Sequence, residues 1–209
     1  SLPLLGLLLG LLSAPILQAA TLWQDTFQEP LRYERLGPAV WRTADGQATF
    51  RSGDSESRLV TLLPDLQSAT VEADVTLQER SGSSWTYSGL SLYLDTGDSW
   101  QLLMVESADG RRYCELIEEY EGVRQAQSAP GPTLLAMRET GALKSWDYGR
   151  GYRLTLEISP EGIRGLVTDS ATGEFWERNF SFAVGRALKS GRPALMVRGT
   201  AGAYTSLTV

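Results

Sequence analysis

The stretch GLSLYLDTGDSWQLLMVESADGRRYCELIEEYE, residues 89–121, decides the fold. Its runs 89–95, 99–107 and 112–121 are strand-like and are separated by two short turns. In the first run Leu90, Leu92 and Leu94 alternate with polar or aromatic residues, and a side-chain period of two places them on one face of a strand. An Asp-Gly pair at 109–110 favours a tight hairpin turn. The stretch therefore predicts an antiparallel meander.

The rest of the chain continues the strand pattern. Residues 71–77 give the clearest alternation, and a second Asp-Gly pair at 45–46 predicts another hairpin. Further strands are predicted at 21–27, 40–43, 47–51, 58–63, 68–78, 133–137, 152–159, 163–168, 174–180, 193–197 and 205–209. No long amphipathic helix interrupts them. Short, closely spaced strands without helical crossovers indicate an all-β fold, an antiparallel two-sheet sandwich.

Composition narrows the classes of function. The 209 residues, 42% of them hydrophobic, fit one sandwich domain, for which we expect the bounds 21–209. A net charge of -6 with scattered cations argues against nucleic-acid binding. The chain has no histidine, which excludes Ser-His-Asp and Cys-His catalysis and histidine zinc sites. Its one cysteine, Cys114, falls within a predicted strand, where we expect a buried and inert thiol.

The first twenty residues differ from the rest. Residues 2–17 are rich in leucine and uncharged, and small residues follow at Ala19 and Ala20. This pattern predicts a secretory signal peptide over 1–20, with a retained signal anchor as the alternative and membrane contact only through that leader. In both cases we expect the domain to be secreted, periplasmic or in the cell envelope. If it is a binding module, we expect it to be part of a larger protein.

The order of segments resembles the concanavalin A-like lectin/glucanase superfamily, in the branch with laminin-G-like and 3-keto-disaccharide-hydrolase-like domains. The segments that carry the resemblance are WQDTF at 23–27, 41–50 with its Asp-Gly turn, VEADV at 71–75, GLSLYL at 89–94, GYRL at 151–154 and the closing strand at 205–209. The resemblance implies a jelly roll of two curved sheets, and a glycan or polysaccharide bound or cleaved on the concave sheet or its rim. Its motifs are structural, so they indicate fold more than activity.

Carboxylates on strands give the enzymatic alternative, a glycoside hydrolase or polysaccharide lyase. Glycanases of this superfamily carry a Glu-x-Asp-x-Glu strand, and two carboxylates must flank the glycosidic bond. Glu72 and Asp74 match the first two positions, but Thr76 replaces the third. Glu115 and Glu119 share a face of another strand at a different spacing. The incomplete motif favours a non-catalytic module over an enzyme.

Aromatic residues give the binding interpretation, because sugar rings lie on Trp or Tyr faces. Trp85 with Tyr87, and Trp146 with Tyr148, fall in predicted loops. Tyr93, Trp100 and Tyr113 fall on predicted strands and either line a concave face or pack beneath loops. These seven are the predicted ligand contacts of a lectin-like, carbohydrate-binding module. A structural or adhesive domain that binds protein is the third hypothesis.

Metal binding is a minor alternative. Asp95, Asp98 and Asp109 lie in predicted turns, and calcium prefers clustered oxygen donors. Turn aspartates more often accept hydrogen bonds from their own backbone. We therefore expect no cofactor, with calcium as the exception to test.

Overall fold

The computed structural model of the chain describes residues 20–29, 32–124, 134–182 and 187–209, and for residues 134–138 the backbone only. All regular structure in these ranges is β. The strands are β1 (Gln24–Asp25), β2 (Tyr33–Leu36), β3 (Val40–Ala44), β4 (Gln47–Arg51), β5 (Ser57–Thr61), β6 (Ala69–Arg80), β7 (Thr86–Asp95), β8 (Asp98–Glu106), β9 (Arg112–Tyr120), β10 (Val123–Arg124), β11 (Leu134–Gly141), β12 (Gly151–Ser159), β13 (Gly162–Asp169), β14 (Phe175–Phe182), β15 (Arg192–Arg198) and β16 (Thr200–Thr208).

These strands form two antiparallel sheets. Sheet A has the order β11-β14-β13-β12-β6-β16-β4-β3, with β1 also paired to β16. Sheet B has the order β10-β9-β8-β7-β15-β5-β2. The predicted all-β, antiparallel two-sheet sandwich is confirmed, and so is the meander, which forms β7, β8 and β9.

The core lies between the sheets and follows the period-two pattern. Val71, Val75 and Leu77 point inward from sheet A and are buried, as the alternation at 71–77 predicted. Leu90 and Leu102 point inward from sheet B, where they are directly paired across β7 and β8. The large apolar area removed from water on the inner faces holds the sandwich together.

Two close contacts tie the sheets to each other. The Tyr204 hydroxyl of sheet A lies 2.6 Å from Ser88 Oγ and 3.1 Å from the Gly89 carbonyl oxygen of sheet B. Gly165 on β13 is packed so closely that a Cβ there would lie 2.8 Å from Leu102 Cδ1. A buried hydrogen bond and a glycine approach therefore fix the spacing at the centre of the core.

The hairpin turns explain where the chain reverses. Asp45 and Gly46 both have positive φ, 52° and 72°, which is the backbone of the predicted tight hairpin between β3 and β4. At the Asp-Gly pair at 109–110, only Gly110 has positive φ, 84°, and its N–H donates to the Ser107 carbonyl oxygen at 3.0 Å. This turn is therefore wider than a two-residue hairpin.

Some predicted elements are wrong in extent. The first strand shrinks from 21–27 to Gln24–Asp25. Strand β2, the edge of sheet B outside β5, lies between the predicted strands 21–27 and 40–43, where no strand was predicted. Strand β2 escapes pattern analysis because it has four residues, of which only Tyr33 is buried. The predicted leader lies outside the described residues except for Ala20.

Within the described ranges, the chain contains no helix of the length and hydrophobicity required to span a bilayer.

Candidate functional site

The outer face of sheet B, turned away from the core, is unusually buried. Leu103 and Met196 on this face are fully inaccessible, and Ser91 and Gln101 have 0% exposure although they are polar. Strand β8 is therefore buried on both faces, and its residues 102–105 are apolar without alternation. A polar face that is shielded from solvent needs a covering structure.

Strong curvature of sheet B supplies part of that cover. Arg58 Nη2 on β5 lies 3.5 Å from Glu119 Oε2 on β9. Three strands, β15, β7 and β8, separate β5 from β9, so on a flat sheet these backbones would lie roughly 19 Å apart. Side chains that meet across this span require the face to curve inward. We refer to it as the concave face.

A ring of polar contacts crosses the concave face. Arg58 Nη2 also lies 2.6 Å from Glu56 Oε1, and the Tyr87 hydroxyl donates to Glu56 Oε2 at 2.5 Å. On the other side, Gln101 Nε2 donates to Glu119 Oε2 at 2.8 Å, and Arg124 Nη2 donates to Gln101 Oε1 at 2.6 Å. The guanidinium of Arg124 lies over the Tyr87 ring and closes the circle at 5.3 Å. We call these residues the concave network: Glu56, Arg58, Tyr87, Gln101, Glu119 and Arg124.

Two of the three predicted tyrosine platforms on this face are covered, and one of them, Tyr87, lies on strand β7 and not in a loop as predicted. Arg124 lies over Tyr87, and the Arg58 and Arg192 guanidiniums lie 5.0 and 5.6 Å from the Tyr93 ring centroid. Tyr87 and Tyr93 are consequently only 3% and 8% exposed. Their rings position arginines by cation–π contact in this structure, so their faces are not open to a sugar ring.

Trp85 and Tyr113 form the accessible aromatic pair at one end of the concave face. Trp85 is 48% exposed, and its ring packs edge-on against Tyr113 with centroids 6.4 Å apart. Partial burial raises the pKa of the Tyr113 hydroxyl to about 12, so the group stays protonated and can donate a hydrogen bond. Of the seven predicted contacts, this pair has the geometry of an open platform.

The remaining predicted aromatic contacts lie elsewhere. Trp100 faces the core with no exposed surface, and its Nε1 donates to the Leu188 carbonyl oxygen at 2.9 Å. Trp146, predicted as a loop aromatic, is also fully buried and donates to the Val105 carbonyl oxygen at 3.1 Å. Neither ring can contact a ligand while the core is closed. Tyr148 packs against Trp146 and donates to Glu106 Oε2 at 2.5 Å, away from the concave face.

The structure does not bring the four candidate catalytic carboxylates together. Glu72 and Asp74 lie on the outer face of sheet A, whereas Glu115 and Glu119 lie on the concave face, with the core between them. Arg153 holds Asp74 through contacts of 2.9 and 3.0 Å, and this hydrogen bonding lowers the pKa of that carboxyl. Asp74 therefore serves an ion pair on a solvated face.

The concave carboxylates are also poorly spaced for glycoside hydrolysis. Glu115 and Glu119 are four residues apart on an extended strand, roughly 13 Å along its axis. The carboxyl groups of glycosidases are separated by roughly 5–9.5 Å. Burial raises the pKa of the Glu115 carboxyl above its usual range, although Arg124 opposes that effect. Glu119 has a structural partner in Arg58, and Glu115 at the strand centre is hydrogen-bonded to Tyr113.

Two of the three turn aspartates, Asp98 and Asp109, accept hydrogen bonds from other groups of the protein. Asp98 Oδ1 accepts from the Glu121 backbone N–H at 2.6 Å, and Asp109 accepts from Ser107 Oγ and from Arg111. In the portion of the chain that the structure describes, no three acidic or cysteine side chains are grouped as metal ligands, and Asp95 joins no such group. Calcium binding stays a prediction from the sequence.

Sequence reasoning missed several residues of the concave face: Glu56, Arg58, Ser91, Gln101 and Arg124. One signal could have found Gln101, since a glutamine that precedes the uninterrupted apolar run at 102–105 lies in a strand buried on both sides. The arginines carry no such signal because they belong to short strands near the sheet edges.

No protein-family model matches the sequence, and comparison with curated protein sequences finds no match. Solved structures do resemble it. The carbohydrate-binding module CBM66 from Bacillus subtilis matches at a TM-score of 0.56 and 14% identity, over 81% of this chain and 90% of that one. The CBM2 module of the evolved Dit protein of Lactobacillus casei BL23 phage J-1 matches at 0.60 and 9%, over 90% and 94%.

A third neighbour is part of an enzyme. The xylan β-1,4-xylosidase from Bacillus halodurans C-125 matches at a TM-score of 0.58 and 15% identity, over 88% of this chain. The chain spans only 38% of that enzyme. Identities this low carry no information about activity, and what they establish is that the chain has the β-sandwich fold that these modules share.

Proposed function

We propose that this chain is a non-catalytic carbohydrate-binding module of the concanavalin A-like type, with the concave face of sheet B and its aromatic end as the binding surface. The observation that carries the proposal is the half-exposed Trp85 ring, supported by Tyr113, beside a curved face lined with charged and amide groups. An apolar ring surface next to directed hydrogen-bond partners matches the two sides of a sugar. The likeness to carbohydrate-binding modules over nearly their whole length supports it.

The proposal does not include hydrolysis. The four strand carboxylates are divided between opposite outer faces, and the Glu-x-Asp-x-Glu strand is incomplete at Thr76. A reducing-sugar assay on the polysaccharides that the chain binds tests this part, because a non-catalytic module releases no reducing ends.

We also infer that the module is exported, on the strength of the leucine-rich, uncharged leader at 2–17 followed by small residues. Sequencing the N terminus of protein recovered from the cell exterior would give a start near residue 21. A start upstream of residue 20 would indicate a retained anchor.

The decisive test is a polysaccharide and glycan-array screen of the purified chain, with Trp85→Ala as the variant. Loss of the stacking ring should weaken binding at least about threefold. Phe175→Ala is the matched control, because Phe175 is also an exposed aromatic, 39% accessible, but lies on sheet A. Binding that survives Trp85→Ala unchanged would move the site elsewhere, and a chain that retains no glycan would favour a protein-binding domain.

A further inference from the structure

Three buried polar atoms on the concave face lack partners: Arg58 Nε, Ser91 Oγ and Arg198 Nε, of which the last lies in the row of Tyr87. Arg58 and Ser91 are only 6% and 0% exposed. Arg58 Nε and Ser91 Oγ are inaccessible to solvent and make no hydrogen bond. A buried polar atom without a partner is destabilising and is uncommon in folded proteins. Their presence together on one face indicates a site that is complete only when something else is bound.

Register places the Arg58 and Ser91 atoms close to each other. Ser91 pairs with Ala194, and Ala194 pairs with Val60, so these residues form one row across β7, β15 and β5. The backbone of Arg58 lies in the neighbouring row on one side of this row, and Tyr93 lies in the neighbouring row on the other side. The Arg58 guanidinium nevertheless lies over the Tyr93 ring. The Arg58 side chain therefore crosses the row that contains Ser91.

The charge on this face is balanced. Among the described residues, the outward-facing positions of the sheet B strands, together with the residue before β5, hold four arginines and four glutamates: Arg58, Arg124, Arg192, Arg198, Glu34, Glu56, Glu115 and Glu119. Arg58 already has Glu56 and Glu119 beside it, and Arg192 pairs with Glu34 at 2.8 Å. An anionic ligand would meet carboxylates that have no added cation to offset them, and a cationic ligand would meet the guanidiniums.

The chemistry left open fits a hydroxyl group. Arg58 Nε can only donate, and Ser91 Oγ can donate, so a ligand atom between them must accept. Glu119 beside them can only accept, so the same ligand must also donate. A hydroxyl does both at once, whereas a carboxylate can only accept and would be repelled by Glu56 and Glu119.

We propose that the concave network binds an uncharged sugar unit, whose hydroxyl accepts from Arg58 Nε and Ser91 Oγ and donates to Glu119. The hydroxyl enters at the 3.5 Å contact between Arg58 and Glu119, which is the longest polar contact of the network. This inference rests on the carbohydrate-binding function proposed above and adds the class of glycan and the residues that select it.

The first test compares neutral with acidic polysaccharides in affinity electrophoresis of the full chain. The neutral probes are arabinoxylan, levan and barley β-glucan, and the acidic probes are polygalacturonate and alginate. We expect at least one neutral probe to retain the chain, equally at low and high salt, because no net charge is exchanged. Retention by acidic probes alone overturns this inference and leaves carbohydrate binding intact, while retention by none overturns both.

The second test uses Ser91→Ala with Thr61→Val as its matched control. Thr61 Oγ1 is likewise buried and unpartnered, but Thr61 faces the core on β5. Removing either hydroxyl should leave the melting temperature unchanged or raise it, since neither makes a hydrogen bond in the free protein. Only Ser91→Ala should weaken binding of the retained neutral probe, by about three- to tenfold.

Arg58→Lys completes the set. It keeps the positive charge between Glu56 and Glu119 but removes the Nε–H donor. We expect a loss of about tenfold or more in binding to the neutral probe. Wild-type binding by both Ser91→Ala and Arg58→Lys would refute the assignment of this subsite, even if Trp85→Ala still showed a sugar site at the aromatic end.

Discussion

The outer faces of the two sheets differ in character, although both sheets are built from antiparallel strands. On sheet A the outward residues are solvated and form ion pairs at the surface, as Arg164 does with Glu157 and Glu177 at 2.9 and 2.8 Å. On sheet B the outward residues Leu103 and Gln101 are completely buried. The difference is that sheet B curves around its own outer side chains.

The curvature of sheet B changes how strongly water and salt screen an ion pair. Arg153 and Asp74 on sheet A pair at 2.9 Å with 56% and 30% of their side chains exposed, so water and salt screen the pair. The Arg58 side chain on sheet B is 7% exposed and has two carboxylates around it. A pair held away from water is weakly screened, and its loss leaves uncompensated charge. The concave face can thus hold polar groups in fixed positions.

The largest expected contrast comes from shortening one side chain on each face. Leu103→Ala on sheet B should lower the free energy of unfolding by about 2–4 kcal/mol, because it leaves a cavity in a fully packed layer. Thr76→Ala on the outer face of sheet A should lower it by less than about 1 kcal/mol. Urea denaturation measures both values, and similar losses would mean that the concave face is not a packed layer.

Removing one arginine from each face should give a smaller contrast. Arg58→Ala should lower the free energy of unfolding by about 3 kcal/mol at most, because Glu56 and Glu119 lose their shared partner. Arg153→Ala should lower it by about 0.5 kcal/mol. Repeating the denaturation in high salt should shrink only the Arg153 effect. An Arg58 effect that is equally salt-sensitive would show that water reaches the concave network.

The fold could be predicted from sequence because period-two alternation is a local signal. The alternation at 71–77 predicted which side chains of β6 face the core, and the meander at 89–121 predicted the central strands of sheet B. The aromatic predictions were less successful, because the exposure of a loop side chain depends on how the loop packs against the rest of the protein. Trp146 lies outside regular strands as expected, but its loop packs over the end of the core and the indole donates into β8.

The concave network could not be predicted for a related reason. Arg58 and Glu119 are distant in sequence, and their contact exists only because sheet B curves. Alternation reports which side of a strand a residue takes but carries no information on curvature. Tyr93 shows the consequence, because the pattern placed it on the correct face while the arginines above it were unforeseen.

The smallest expected contrast is in pH dependence, where the faces should differ in sign. Hydrogen bonding to Arg153 lowers the pKa of Asp74 below its ordinary 3.8, so the carboxylate stabilises the fold above that pH and the contribution disappears as pH falls through the lowered value. Burial raises the pKa of Glu115 above 4.5, so its charged form destabilises the fold above the raised value and the penalty is absent below 4.5.

Two variants make that difference measurable in thermal unfolding between pH 2 and pH 8. Asp74→Asn should lower the melting temperature at neutral pH and match wild type in strong acid, whereas Glu115→Gln should raise it at neutral pH and match wild type below about pH 4. Each change corresponds to less than about 1 kcal/mol, because both sites retain some contact with water. Shifts of the same sign would place Glu115 in a solvated setting like that of Asp74, and the concave face would then lose its distinction from the outer face of sheet A.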